Sequence, residues 1–125
     1  MRRFLLLLAL GCAGCATIHR AKDYHGVTVE NGAQPIETLE IENTAWLLFK
    51  YIPLGSGDPK FPNANAFCLF RNTVTLQANL DMLEAEMKEV NAGRVVNLSS
   101  RKTDESIFFV LLTRHAYHTS AVLLK

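Results

Sequence analysis

Apolar and polar positions change rhythm several times along the chain. Phe4 to Leu10 (FLLLLAL) is one continuous apolar run, too short to cross a bilayer as a helix. Residues 16–34 (ATIHRAKDYHGVTVENGAQ) show no period and read as a tether. From Pro35 the period is two, with one irregular step at Thr38: Ile36, Leu39 and Ile41 alternate with Glu37, Glu40 and Glu42, which predicts a half-exposed strand. It runs into AWLLFKYI, where Trp46, Leu47, Leu48, Phe49, Tyr51 and Ile52 place apolar groups on both strand faces. Pro53, Gly55 and Gly57 should end that strand, and 53–72 reads as a long loop, unusual in a small domain.

The period then becomes helical. Leu76, Leu80, Leu83, Met87 and Val90 form one stripe, with Gln77, Asp81, Glu84 and Lys88 along its flank. Asn72 or Thr73 suits the cap, Glu84 and Lys88 make a favourable i, i+4 pair, and Gly93 fits the left-handed position that ends helices. RVVNLSS predicts a strand, residues 102–106 a polar turn, and IFFVLLTRHAYHTSAVLLK one long strand or two joined by a bulge.

Strand, strand, loop, helix, strand, strand is an α+β order, ββαββ, with one helix on a mostly antiparallel sheet. The run LQANLDMLEAEMKEVNAGRVVNLSS and the closing SAVLLK resemble the second half of the small bacterial heavy-metal-binding domain family. That resemblance implies the same fold and ring assembly; without concentrated ligands in this chain the metal does not carry over. In IFFVLLT, Ile107, Phe109 and Leu111 would face one way and Phe108, Val110 and Leu112 the other. One helix covers one sheet face, so the second is expected to be apolar and to meet another copy or a partner protein.

Composition adds location. At 125 residues, 49% apolar and 20% charged, the chain is long enough for one domain. Met1-Arg2-Arg3, the apolar run and the small residues behind it form a secretory signal. The segment resembles the signal of bacterial lipoproteins, in which a small residue precedes a lipidated cysteine. Two registers fit: cleavage before Cys15, after Cys12-Ala13-Gly14, or before Cys12, after Ala9-Leu10-Gly11. Cys15 is preferred because it leaves the longer apolar run. The resemblance implies several acyl chains, and Ala16 or Ala13 after the cysteine, in place of Asp, implies the outer membrane of a diderm cell. The layout is then signal 1–14, lipidated N-terminus and tether 15–34, and domain 35–125; the tether would reach roughly 60 Å. Cleavage removes two of the 13 basic residues, leaving 11 against 12 acidic ones and no electrostatic support for nucleic-acid binding.

Candidate chemistry is sparse. His115 and His118 on a strand point to opposite faces, so they do not share a metal, and His19 and His25 lie in the tether. Cys68, between Phe67 and Leu69, reads as a small packed hydrophobe. Glu37, Glu40 and Glu42 belong to a solvated strand face, while Asp58, Asp104 and Glu105 belong to turns. No nucleophile, zinc or phosphate-loop motif appears. The reading is a non-catalytic envelope lipoprotein, with no cofactor and no metal. A small-ligand or metal-binding domain using Asp58 to Asn72 is the alternative.

Overall fold

A computed structural model of the chain describes residues 15–22, 34–64, 66–107, 109 and 111–125. Its centre is an antiparallel pair, β2 (Pro35–Leu48) and β6 (Leu112–Leu124), in register from Glu37 opposite Leu123 to Leu48 opposite Leu112, with an irregularity before Glu37 that leaves Pro35 opposite Leu124. Along β2 every odd residue from Glu37 to Leu47 is buried, and all but one of the even residues are exposed or half-buried. The period of two thus sorts the strand into an inner and an outer face.

β5 (Arg94–Ile107) lines the far edge of β6, bulging between Val96 and Ser99 where Asn97 takes a left-handed φ of 53°. On the other side, β3 (Ile52–Gly57) pairs with the last residues of β2, and β4 (Phe67–Leu69) pairs with β3. The first half of that same β2 edge is taken by β1 (Ala16–Ala21), with Ala16 opposite Asn43 and Ala21 opposite Thr38. β1 and β3 run the same way and meet end to end, and the sheet order is β4-β3-β2-β6-β5 with β1 in line with β3.

The helix α1 (Leu76–Glu89) brings Met82 and Leu83 into a core cluster with Ile18, Leu39, Ile41, Ala121 and Leu123. Its buried positions are Asn79, Met82, Leu83 and Glu86, so the interior face is rotated from the expected leucine stripe and Leu76 is exposed. Two polar contacts set this rotation. Asn79 Nδ2 donates to Tyr117 O at 3.2 Å and to Thr119 Oγ1 at 3.0 Å, and Glu86 accepts both Nε and Nη2 of Arg20, at 2.9 and 2.6 Å. Thr75, not Asn72 or Thr73, caps the helix by accepting from Ala78 N at 3.1 Å. Asn91, with φ 53°, takes the left-handed position expected of Gly93, and Ala92 N donates to Met87 O at 2.9 Å.

The ββαββ arrangement is therefore overturned. Six strands in the order ββββαββ occupy 58% of the described residues, and there is one short helix. Residues 16–21, expected in the tether, are a sheet strand, and 53–72, expected as loop, supplies most of β3 and all of β4. Residues 102–106 continue β5 instead of turning, because an edge strand solvated on both sides carries no apolar period; the chain reverses between Ile107 and Leu112. The expected apolar second face is also corrected. The outer face carries Glu40, Glu42, Arg101, Arg114 and His118, with Arg114 paired to Glu42 at 2.7 Å and to Glu105 at 3.6 Å. Phe108 and Val110 lie outside the described residues, as do the signal 1–14 with Cys12, and His25.

Candidate functional site

The preferred lipidation residue stands at the head of the first strand. Cys15 is exposed, and its carbonyl accepts from Thr44 N at 2.9 Å, so the sheet begins at this residue. The next residues are clamped by Asn63. Its backbone N donates to Ala16 O at 2.9 Å, its Oδ1 accepts from Ile18 N at 2.9 Å, and its Nδ2 donates to Ile18 O at 3.1 Å. Gly57, where β3 ends, admits this junction because it has no side chain. A Cβ there would lie 2.2 Å from Ala16 N and 2.3 Å from Cys15 C. A group attached to Cys15 would thus be held with almost no slack at the edge of the sheet.

From that junction an exposed apolar rim leads to the end of the sheet. Phe67 lies opposite Gly57 and Leu69 opposite Gly55, and Phe70 N donates to Leu54 O at 3.2 Å. The β2–β3 turn follows, with Phe49 and Tyr51 outside, and Phe49 N donates to Leu111 O at 2.9 Å, joining it to the β5–β6 reversal that carries Phe109. Each of these aromatic residues, and Leu69, is at least half exposed.

The remaining candidates scatter. His115 and His118 sit on opposite faces of β6, opposite Ala45 and Glu42 on β2. His115 is buried and its Nδ1 bonds Asp104 Oδ1, directly across on β5; Tyr117 meets its ring edge-on at 5.8 Å. This hydrogen bond holds the Asp104 carboxyl below its ordinary value, against the opposing effect of desolvation and with help from Lys102. His19 faces Glu40 across β1 and β2. Cys68 is half-buried on β4 opposite Ser56. Asp58 accepts from Lys60 N at 3.0 Å, a local turn contact. Glu37, placed by sequence on a solvated face, is instead 1% exposed on the inner face, while Glu40 is exposed. Among the described residues no group of three or more His, Cys, Asp or Glu could hold a metal ion.

Sequence reasoning missed Asp104–His115, because the turn was placed over Asp104, and Arg20–Glu86, because Arg20 was placed in a tether. Hydrogen bonding to Glu86 raises the already high Arg20 value further. The signal that could have shown β1 is slight: Ala16 and Ile18 alternate with Thr17 and His19. Among the described residues no helix is long and apolar enough to cross a membrane. No known protein family matches the chain, and no curated protein or solved structure shows significant similarity to it.

Proposed function

We propose that the protein is a bacterial lipoprotein, cleaved before Cys15 and lipid-anchored in the cell envelope, on the periplasmic side of the outer membrane in a diderm cell. Its body is a non-catalytic domain that meets an envelope protein or a second copy of itself. The observation that carries this reading is the GCAGC stretch behind a basic start and an apolar run, together with the position of Cys15, exposed just outside β1. Intact mass of the membrane-extracted protein should begin at Cys15 and include a diacylglyceryl group. Cys15→Ser should abolish the modification and Cys12→Ser should leave it. An unmodified N-terminus in soluble periplasm would sink the reading.

One observation favours the small-ligand alternative. A groove of about 330 Å³ lies between Pro59, Lys60, Pro62 and α1, floored by Ile18 and Met82. Native mass spectrometry should then find a small molecule that Ala85→Trp, which fills the groove, removes. A wild-type native mass equal to that of the chain with its lipid alone refutes this alternative.

A further inference from the structure

We propose that the exposed aromatic rim from Phe67 to Phe109 seats on an anionic phospholipid bilayer, so that the body lies against the membrane instead of floating above it. The inference rests on the membrane-anchored reading and adds a second membrane contact to it.

Geometry comes first. With residues 16–21 in the sheet, no tether separates the body from Cys15. The β2 strand runs on from Thr44, which bonds Cys15, to Leu48 at its tip, a distance of about 13 Å at roughly 3.3 Å per residue. An anchor at Cys15 therefore brings the rim within reach of the same bilayer.

Conformation gives an independent reason. Phe49, Phe70 and Phe109 have φ of 52°, 55° and 52°, in the left-handed region that bulky side chains avoid, and Lys50 beside Phe49 has φ 67°. Asn or Gly would relieve each of these turns. Exposed phenylalanines at strained turns contribute little burial to the fold, and strain of this kind collects where function requires it.

Charge selects the occupant. Between Phe49 and Arg71 the charged residues are Lys50, Asp58, Lys60 and Arg71; the three basic ones are exposed, Lys50 beside Phe49 and Arg71 beside Phe70 on the rim, and Lys60 at the groove against α1. Asp58 is turned back onto the backbone N of Lys60. Aromatic side chains interspersed with exposed Lys and Arg, at the end of a sheet, suit the headgroup layer of an anionic membrane. A second copy docking rim to rim would set these positive charges against its own, so any self-contact belongs to another surface.

The test uses the full-length protein reconstituted in phosphatidylethanolamine/phosphatidylglycerol vesicles with lipids brominated high on the acyl chain. The chain has a single tryptophan, so Trp46→Phe with Tyr51→Trp moves the reporter to the exposed rim. Seating to a depth of roughly 5–10 Å should shift the reporter's emission to the blue and quench it. Phe49→Ser with Phe109→Ser should abolish both effects while the protein still floats with the vesicles. Flotation and a lipid-bearing intact mass with an unquenched reporter would overturn the inference and leave the anchor reading standing. Quenching by anionic vesicles without a lipid mass would support the rim and remove the anchor. A reporter that shifts with protein concentration in detergent, and is indifferent to vesicles, would show that a second copy covers the rim and would overturn the inference.

Discussion

Replacing Gly57 by Ala tests whether the residues behind Cys15 belong to the sheet. The new Cβ would stand 2.2 Å from Ala16 N and 2.3 Å from Cys15 C, and both neighbours are backbone that no rotamer change can move. Two responses are open. If β1 stays, the overpacking costs about 1–3 kcal/mol. If its first residues leave, the contacts Thr44 N to Cys15 O, Asn63 N to Ala16 O and the two bonds between Asn63 and Ile18 are lost, at roughly 1 kcal/mol each. Unburying Ile18 adds about 2 kcal/mol. Against this, each freed residue recovers about 1–2 kcal/mol of backbone entropy, so detachment is nearly balanced and becomes the cheaper route. The expected result is a loss of at most about 3 kcal/mol in urea unfolding, smaller the more fully detachment relieves the overpacking strain. Amide exchange should rise at Ile18, Thr44 and Asn63 and stay slow along the β2–β6 ladder. Gly93→Ala is the control, since its Cβ meets Lys125 C at an ordinary 3.7 Å. An unchanged midpoint and unchanged protection at those three amides would refute the close seating of Cys15 and β1.

The remaining predictions concern single contacts. Asn79→Ala should cost about 2–3 kcal/mol in chemical unfolding, because the fully buried amide supplies two hydrogen bonds and its removal leaves Tyr117 O with one partner fewer. Phe49→Asn with Lys50→Gly should raise the unfolding free energy by about 1–2 kcal/mol by relieving two left-handed residues, while reducing rim seating on vesicles; a destabilised double variant would contradict the strain argument. Asp104, held below its ordinary value by His115, adds stability above the unfolded carboxyl value of about 4 that is lost as pH falls through its lower folded value. Its carboxyl is half exposed, so the gap between wild type and Asp104→Asn should stay below about 1 kcal/mol near pH 7 and shrink as pH falls below about 4. A gap that widens as pH falls below about 4 would reverse the sign.

How much could be read from sequence depended on where each residue's partner lay. β2 was legible because its charges and its aliphatic side chains alternate from Leu39 to Glu42, a pattern that depends on neighbours alone, although Glu37 was assigned to the wrong face. The helix was legible in extent but not in rotation: hydrophobicity points to Leu76 and Leu80, while Asn79 and Glu86 are drawn inward by Thr119 and Arg20 from other strands. β3 was hidden by Pro53, Gly55 and Gly57, which read as loop residues, although Gly57 is required by a backbone 42 positions earlier in the chain. Phe49, Tyr51 and Phe109 of the aromatic rim were misread as strand residues, since period-two counting assigns faces to residues that are in fact turns, and Phe67 to Phe70 were read as loop although Phe67–Leu69 is a strand. The place of Cys15 at the head of a sheet strand was not legible, because residues 16–21 carry only a slight alternation.

The central pairing of β2 with β6 has a consequence for the order of assembly. The partners are 64 positions apart at the Leu48–Leu112 end and 89 at the Pro35–Leu124 end, so the longest ladder in the sheet is also its least local. β1, β3 and β4 can find β2 or one another early, but β2 keeps one edge open until β6 has emerged. Chains dominated by such distant contacts fold slowly. For a chain threaded across a membrane from its N-terminus, delay of this kind is useful: its middle strand cannot lock before the last strand has followed it through.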